Sequence, residues 1–320
     1  MYSSAPLFSL LIQIWNRPQL LAGLVERINL SKHDDVEIVI VDDNSEEENW
    51  LKLKKIALLH DNVRLYRNEQ NIGLTLNWNK TIEYARGTWL SFICDDDIYK
   101  EDAFSRIRIL IKDITEPCLI LQSFEIEMDT EWLEKGSETA KSTTLPPASG
   151  QFWHREITNK LGGFDVRVKY CPDAEFWLRM AYHYPVLKVK DFFVIPNQHD
   201  TNYMWEIFRK PDLLENVAFS IKISSKHTLG KDYDNPSILE NAINDGIWET
   251  LRTIINNTFL EKGKMDIFNN YIIMFIRTSF KMKRKIRMVK VLLRLVLYRF
   301  YRPIRPSVKK IKYFMSSLRV

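Results

Sequence analysis

Three consecutive carboxylates, Asp95-Asp96-Asp97, follow the apolar run Trp89–Ile93 with only Cys94 between. Hard oxygen ligands on a turn suit Mg²⁺ or Mn²⁺, ions that keep part of their shell for water and substrate phosphates. An ion bridging two phosphate oxygens neutralises the charge that develops when a nucleoside diphosphate departs. A second acidic pair, Asp42-Asp43, closes the β-branched run VEIVIV at 36–41. A carboxylate at such a position can accept hydrogen bonds from a uracil N–H or from ribose hydroxyls. Plainer readings stand beside both: a solvated acidic turn at 95–97, and helix capping by Asn44 or Ser45, which would leave Asp42 free. Asp173 and Glu175 precede Phe176, Trp177 and Met180. Either acid could take the proton from an attacking hydroxyl, or both could cap the helix that those apolar residues define.

These groups need a scaffold, and the pattern around them supplies one. Leu7–Trp15 reads as a strand closed by Asn16-Arg17-Pro18, with Pro18 placed to open a helix over Gln19–Asn29. Val36–Val41, Val63–Tyr66 and Trp89–Ile93 read as further strands, separated by helices at Glu46–Leu59 and Leu76–Ala85, the last ended by Gly87. Strand and helix alternating at this spacing predict an α/β fold, a mostly parallel sheet flanked by helices. Ligands of such sheets bind beyond the carboxyl ends of strands, where both acidic clusters fall. Residues 122–150 read as a surface loop or lid, and LKVKDFFVI at 187–195 as one strand leading to His199. From Pro211 to Phe280 the pattern is helical, with Phe219, Ile223, Ile247 and Trp248 as core contacts.

At 320 residues and 45% hydrophobic, the chain can bury a substantial core, and its composition is that of a globular protein. Cys94, Cys118 and Cys171 show neither a paired nor a metal-ligand spacing, so buried thiols in a reducing compartment are expected. The N-terminal apolar run lacks a preceding Lys or Arg and reads as a strand rather than a secretory signal. No stretch reaches the roughly 18 apolar residues of a membrane span, so the expected location is cytoplasmic, with membrane contact only peripheral.

Taken jointly, WNRP at 15–18, VIVDDNS at 39–45, NIGLTLNWNKTIEYARGTWLSFICDDD at 71–97, GGFD at 162–165 and DAEFWLRM at 173–180 resemble the family 2 glycosyltransferases of the GT-A fold. The likeness covers about residues 7–205 and includes bacterial enzymes of surface-polysaccharide synthesis. It implies a Rossmann-like GT-A catalytic domain over 1–205, its nucleotide-binding half at 1–97 and its acceptor half at 98–205. It further implies a nucleoside-diphosphate sugar donor, UDP-linked, and transfer with inversion to a saccharide or lipid-linked saccharide. By position it makes Asp42 the base- or ribose-binding aspartate and brings Asn16, Arg17, Asn71, Gly73, Asn79 and Asp95 to the donor. Aligned on Ile98-Tyr99, the family's acidic motif has its first position at Cys94, a departure, and its second at Asp96. Asp96 is then the leading ligand for Mn²⁺ or Mg²⁺, with Asp97 and His199 in support. Matching Trp177-Leu178-Arg179 makes Asp173 the catalytic base and Glu175 the alternative, with Pro172 replacing the family's usual Glu. His154 and Arg155 could contact diphosphate or acceptor, and Gly162-Gly163 would turn tightly beside the site.

The ends of the chain differ in charge. Residues 281–320 carry fourteen Lys or Arg and no acid, which leaves 32 basic against 41 acidic residues elsewhere, a formal −9. Beyond a helical extension at 206–280, Ile286, Val289, Leu293, Val296 and Phe300 form one stripe of this tail, and Arg284, Arg287, Lys290 and Arg294 another. That pattern predicts a basic amphipathic helix for an anionic membrane surface, the inner face of the plasma membrane; the alternative is a helix packed on the body with snorkelling basic groups. No nucleic-acid module accompanies the charge. Two other functions remain in view. A nucleotide-sugar nucleotidyltransferase would want a glycine-rich phosphate loop that WNRPQLL lacks, and an inactive glycosyltransferase-like binding protein would fit the departures at Cys94 and Pro172.

Overall fold

The computed structural model describes residues 5–28, 33–94, 97–122, 130–135, 148–170, 172–189, 193–195, 203–260, 265–281 and 292. The chain divides into two compact units, Met1–Thr201 with Lys222–Tyr233, and Asn202–Ile221 with Asp234–Val320. The first unit begins β1 (Phe8–Ile14), α1 (Pro18–Ile28), β2 (Val36–Asp42), α2 (Glu47–Ala57), β3 (Val63–Arg67), α3 (Leu74–Tyr84) and β4 (Trp89–Phe92). It continues with β5 (Ile98–Tyr99), α4 (Ala103–Ile111), β6 (Leu119–Gln122), β7 (Glu131–Leu133), β8 (Phe152–His154), α5 (Arg155–Leu161), α6 (Pro172–His183), β9 (Val186–Val189) and β10 (Val194–Ile195).

Among the described residues, eight strands form one sheet in the order β3-β2-β1-β4-β8-β6-β9-β7, and β10 pairs with β5 in a small second sheet. β3, β2, β1 and β4 run parallel, as their helical crossovers require, whereas β8 lies antiparallel between β4 and β6. The α/β expectation is met, a mostly parallel sheet flanked by helices. Alternation along the strands fills both faces: Phe8, Leu10, Ile12 and Ile14 join α1, α2 and α4 in one core, while Leu11 and Val39 join α3, α5 and α6 in the other. Both faces of β1 and β2 are covered, which is why apolar residues fall on both faces and even Ser9 and Glu37 are buried.

Three sequence expectations change. Residues 187–195 are not one strand: Val186–Val189 joins the large sheet and Val194–Ile195 the small one. The stretch 122–150, expected to be loop, contributes the short edge strand β7. Gly87 does not end α3, whose C-cap is Ala85. A Cβ at Gly87 would lie 2.6 Å from the Ser9 backbone nitrogen, so the glycine lets the chain press against β1.

The second unit contains α7 (Tyr203–Ile207), α9 (Pro236–Leu260) and α10 (Met265–Lys281), together with the first part of α8 (Leu213–Thr228). α9 and α10 pack through Trp248, Leu251, Ile255, Ile267 and Phe275, all buried, with the rings of Trp248 and Phe275 5.6 Å apart. Of the core contacts expected over 211–280, Trp248 is buried and Phe219 and Ile247 half-buried in this unit, and Ile223, which belongs to the first unit, is buried. No helix among the described residues is long and apolar enough to cross a membrane. Beyond Lys281 the basic tail lies outside the described residues, apart from Leu292.

Candidate active site

The carboxyl ends of β1, β2 and β4 lie side by side, and backbone hydrogen bonds hold their loops together. Asn16, in the left-handed region at φ 56°, donates its N–H to Ser45 Oγ at 2.7 Å and accepts from the Glu46 N–H at 2.8 Å. Asn tolerates that conformation better than most side chains, so the β1 loop can turn sharply without glycine. Arg17 follows, half-buried, just before α1.

Asp42 is fully buried at the end of β2, and its carboxylate accepts from both the backbone N–H and the hydroxyl of Ser45, with Arg67 Nε 3.5 Å away. Burial raises its pKa above the ordinary 3.8 against the pull of these partners. The expectation that capping leaves Asp42 free is not met, because Ser45 turns back onto Asp42 and the N-cap of α2 is Glu46, whose side chain makes no capping bond. Asp43, which sequence reading passed over, accepts from the Ile72 and Gly73 N–H groups at 2.9 Å and from Asn68. It thereby fixes the loop holding exposed Asn71 and Gly73, whose φ of 84° suits glycine. Asn77 extends the network, accepting from Asn68 and donating to the Val41 carbonyl.

β4 ends in the acidic triplet. Asp95 and Asp96 lie outside the described residues, as does His199. Asp97 is 5% exposed; its N–H returns to the Cys94 carbonyl at 3.2 Å and its own carbonyl accepts from Arg27. The Cys94 N–H donates to Ser149 Oγ at 3.2 Å, and the Gly150 N–H to the Phe92 carbonyl at 2.8 Å. The segment 148–150 thus lies along the start of the acidic turn. No group of three His, Cys, Asp or Glu that could hold a metal occurs among the described residues.

Asp173 comes to the same place from another element. It stands in the first turn of α6, where Pro172 occupies a position that needs no backbone donor. Its half-buried carboxylate accepts from its own N–H and those of Ala174 and Ala148. Desolvation outweighs those bonds and pushes its pKa up to about 6. Ala148 adjoins Ser149, so one short segment links Asp173 to the turn that opens the acidic triplet.

Glu175 is placed differently. It is 1% exposed and grips Arg179 through both carboxylate oxygens, at 2.8 and 3.1 Å. Asn79 uses its amide on Phe164, accepting from the N–H at 2.8 Å and donating to the carbonyl at 3.0 Å. A Cβ on Gly163 would run into that amide, which explains the second glycine of the Gly-Gly turn.

His154 and Arg155 do not approach the acidic clusters. Antiparallel pairing sets His154 opposite Trp89, the first residue of β4, so both sit at the far end of that strand. There His154 Nδ1 accepts from the Glu156 N–H and caps α5, and burial lowers its pKa. The expected contact with diphosphate or acceptor fails because β8 enters the sheet reversed.

The Glycosyl transferase family 2 model matches residues 9–171. Among related sequences, the chain is 26% identical over 217 residues to the GalNAc(5)-diNAcBac-PP-undecaprenol beta-1,3-glucosyltransferase of Campylobacter jejuni, covering 64% of this chain and 66% of that protein. It is 23% identical over 199 residues to the uncharacterized protein MT1568 of Mycobacterium tuberculosis, covering 55% and 62%. The chain therefore spans less than two thirds of either relative. The structure of S. aureus TarS 1-349 in complex with UDP-GlcNAc superposes with a TM-score of 0.60 at 16% identity, over 85% of this chain and 81% of that one. The mannosyltransferase PcManGT of Pyrobaculum calidifontis, in complex with GDP-Man and Mn²⁺, gives 0.55 at 15%, over 93% and 88%. At these identities the likeness carries the fold alone, the GT-A-type arrangement expected from the sequence.

Proposed function

Since the chain belongs to glycosyl transferase family 2, we propose that it moves one sugar from a nucleoside-diphosphate donor, UDP-linked, to an acceptor hydroxyl with inversion. The observation that carries this is the joining of Asp173 to the turn that opens the acidic triplet, through adjacent Ala148 and Ser149. An alcohol that displaces a nucleoside diphosphate must lose a proton, and Asp173 holds its carboxylate at the end of a helix with its proton affinity raised toward neutral. A carboxyl near pH 6 is ionised at neutral pH yet a stronger base than an ordinary aspartate. Glu175, clamped by Arg179, is poorly placed to alternate in that role. The raised pKa of Asp173 also favours an enzyme over an inert binding protein.

On the donor side, the loops organised by Asp42 and Asp43, with Asn16, Arg17, Asn71, Gly73 and Asp95, are proposed to surround base, ribose and diphosphate. Asn79 supports that side through the turn at Phe164 rather than by direct contact. The donor set at the end of β4 fits a hard divalent cation, being carboxylate oxygen on a turn closed by the Asp97 N–H. Asp96 and Asp97, with His199, would hold Mn²⁺ or Mg²⁺, which supplies neutralisation of the departing diphosphate. The Campylobacter relative is named for an undecaprenol-linked acceptor. Together with the basic tail, that name supports a lipid-linked saccharide as acceptor, surface-polysaccharide synthesis as the role, and the inner face of the plasma membrane as the place of work. The test is nucleoside-diphosphate release from a panel of nucleotide sugars, with Mn²⁺ and with excess chelator. Release from one donor in Mn²⁺ alone is expected; no release from any donor, or full activity in chelator, refutes the reading.

A further inference from the structure

We propose that Arg179 is a positioning residue that sets the reach of Asp173 by fastening its helix to the Gly162–Phe164 turn. The inference rests on the reading of Asp173 as the base and extends it to a residue that meets no substrate. Arg179 lies on α6, six residues after Asp173, and its guanidinium points back at the end of α5. Nη1 donates to the Leu161 carbonyl at 2.7 Å and Nη2 to the Gly163 carbonyl at 2.6 Å, while Nε and Nη2 hold the Glu175 carboxylate. One planar cation thus satisfies the last carbonyl of α5, a carbonyl of the turn beyond it, and a carboxylate that is almost fully buried.

The turn it holds is anchored from the other side. Asn79 on α3 brackets Phe164 with two hydrogen bonds, and the Phe164 ring stacks on Phe176 of α6 with centroids 4.0 Å apart. α3, the turn and α6 therefore lock into one register, and that register decides where the first turn of α6 presents its carboxylate. His227 Nε2 lies 4.0 Å from Glu175 on the remaining side. A buried ion pair adds little stability over a well-packed apolar pair, so its use here is better explained by geometry than by stability. Geometry is costly to lose, since a base displaced by about 1 Å can forfeit roughly 10²-fold in rate.

The experiment uses the full chain with its Mn²⁺ and nucleotide-sugar donor. Arg179→Lys keeps a positive charge beside Glu175 but cannot span both carbonyls and both carboxylate oxygens. Its kcat per folded molecule should fall by about 10–100-fold. The donor KM should stay within twofold, and the acid limb of the kcat profile should remain because the base is unchanged. Asn79→Ser loosens the same turn from α3 and should also lower kcat, and the double variant should lose less than the product of the two single losses. A wild-type kcat in Arg179→Lys, a loss confined to donor KM, or fully multiplicative losses would overturn the proposal. If Arg179→Lys does not fold, an unchanged kcat or a loss confined to donor KM in Asn79→Ser overturns it, and a lowered kcat with donor KM within twofold supports it. Full turnover in Asp173→Asn would instead bring down the base assignment.

Discussion

Asp173 should cost the protein stability at the pH where it works. Its carboxyl has a pKa of about 6 in the folded state against an ordinary 3.8, because burial penalises the charged form more than three backbone N–H groups favour it. At about 1.4 kcal/mol per tenfold difference in proton affinity, that gap amounts to about 3 kcal/mol as an upper bound. The sign follows from proton binding: with the folded pKa raised, the native state holds the proton more tightly, so stability is lost as pH rises from near 4 through 6. Asp173→Asn removes the titration and keeps a carbonyl oxygen to accept the same N–H groups. The variant should match wild type near pH 4 and exceed it by about 1–3 kcal/mol above pH 7, read as denaturant midpoints at both pH values. Turnover should fall by about 10²–10⁴-fold with donor binding retained, and the acid limb near pH 6 in the wild-type rate should disappear. No stability gain at high pH, or a gain that persists at pH 4, would refute the argument from burial. A gain without loss of turnover would leave Asp173 a half-buried acid with no part in the chemistry.

Asp96→Ala should abolish transfer and Mn²⁺-dependent binding of nucleoside diphosphate with the fold intact, checked by calorimetry and circular dichroism. Gly87→Ala should destabilise by about 1–3 kcal/mol, since its Cβ would press on the Ser9 backbone, a rigid neighbour, and the shift in thermal midpoint measures it. A chain ending near Phe280 should stay folded and glycosylate a short soluble acceptor, yet no longer sediment with anionic vesicles at low salt. Unfolding of the shortened chain, or indifference of the intact one to such vesicles, would end the membrane reading.

The first half of the fold was legible because each element there is marked locally. VEIVIV is β-branched at every position but Glu37 and reads as a strand, and Pro18 sits where a helix begins. Acids at the ends of such strands do not help the strands fold, which is why their position drew attention to that edge of the sheet. What stayed hidden depends on chain direction and distant contact. Nothing in Phe152–His154 shows that it enters the sheet antiparallel, yet that one fact carries His154 to the wrong end of β4. The conformation of Gly87 looked like a helix cap because its true constraint, the backbone of β1, lies 78 residues away. Asp43 was overlooked beside Asp42 because its partners, Ile72 and Gly73, offer only backbone N–H groups, which leave no mark on composition.

The insertion of β8 between β4 and β6 also sets an order of events during synthesis. β1 to β4 pair with neighbours already made, but the outer edge of β4 waits for residues 152–154, about sixty positions later. At roughly 5–20 residues per second, the ribosome leaves that edge open for about 3–12 s. Trp89, Leu90 and Phe92, buried in the finished sheet, line the waiting edge, which is a template for pairing with another chain. A nascent chain of this design should therefore lean on chaperones during one window, and slower translation between β4 and β8 should lower the yield of soluble protein more than the same delay placed after β9.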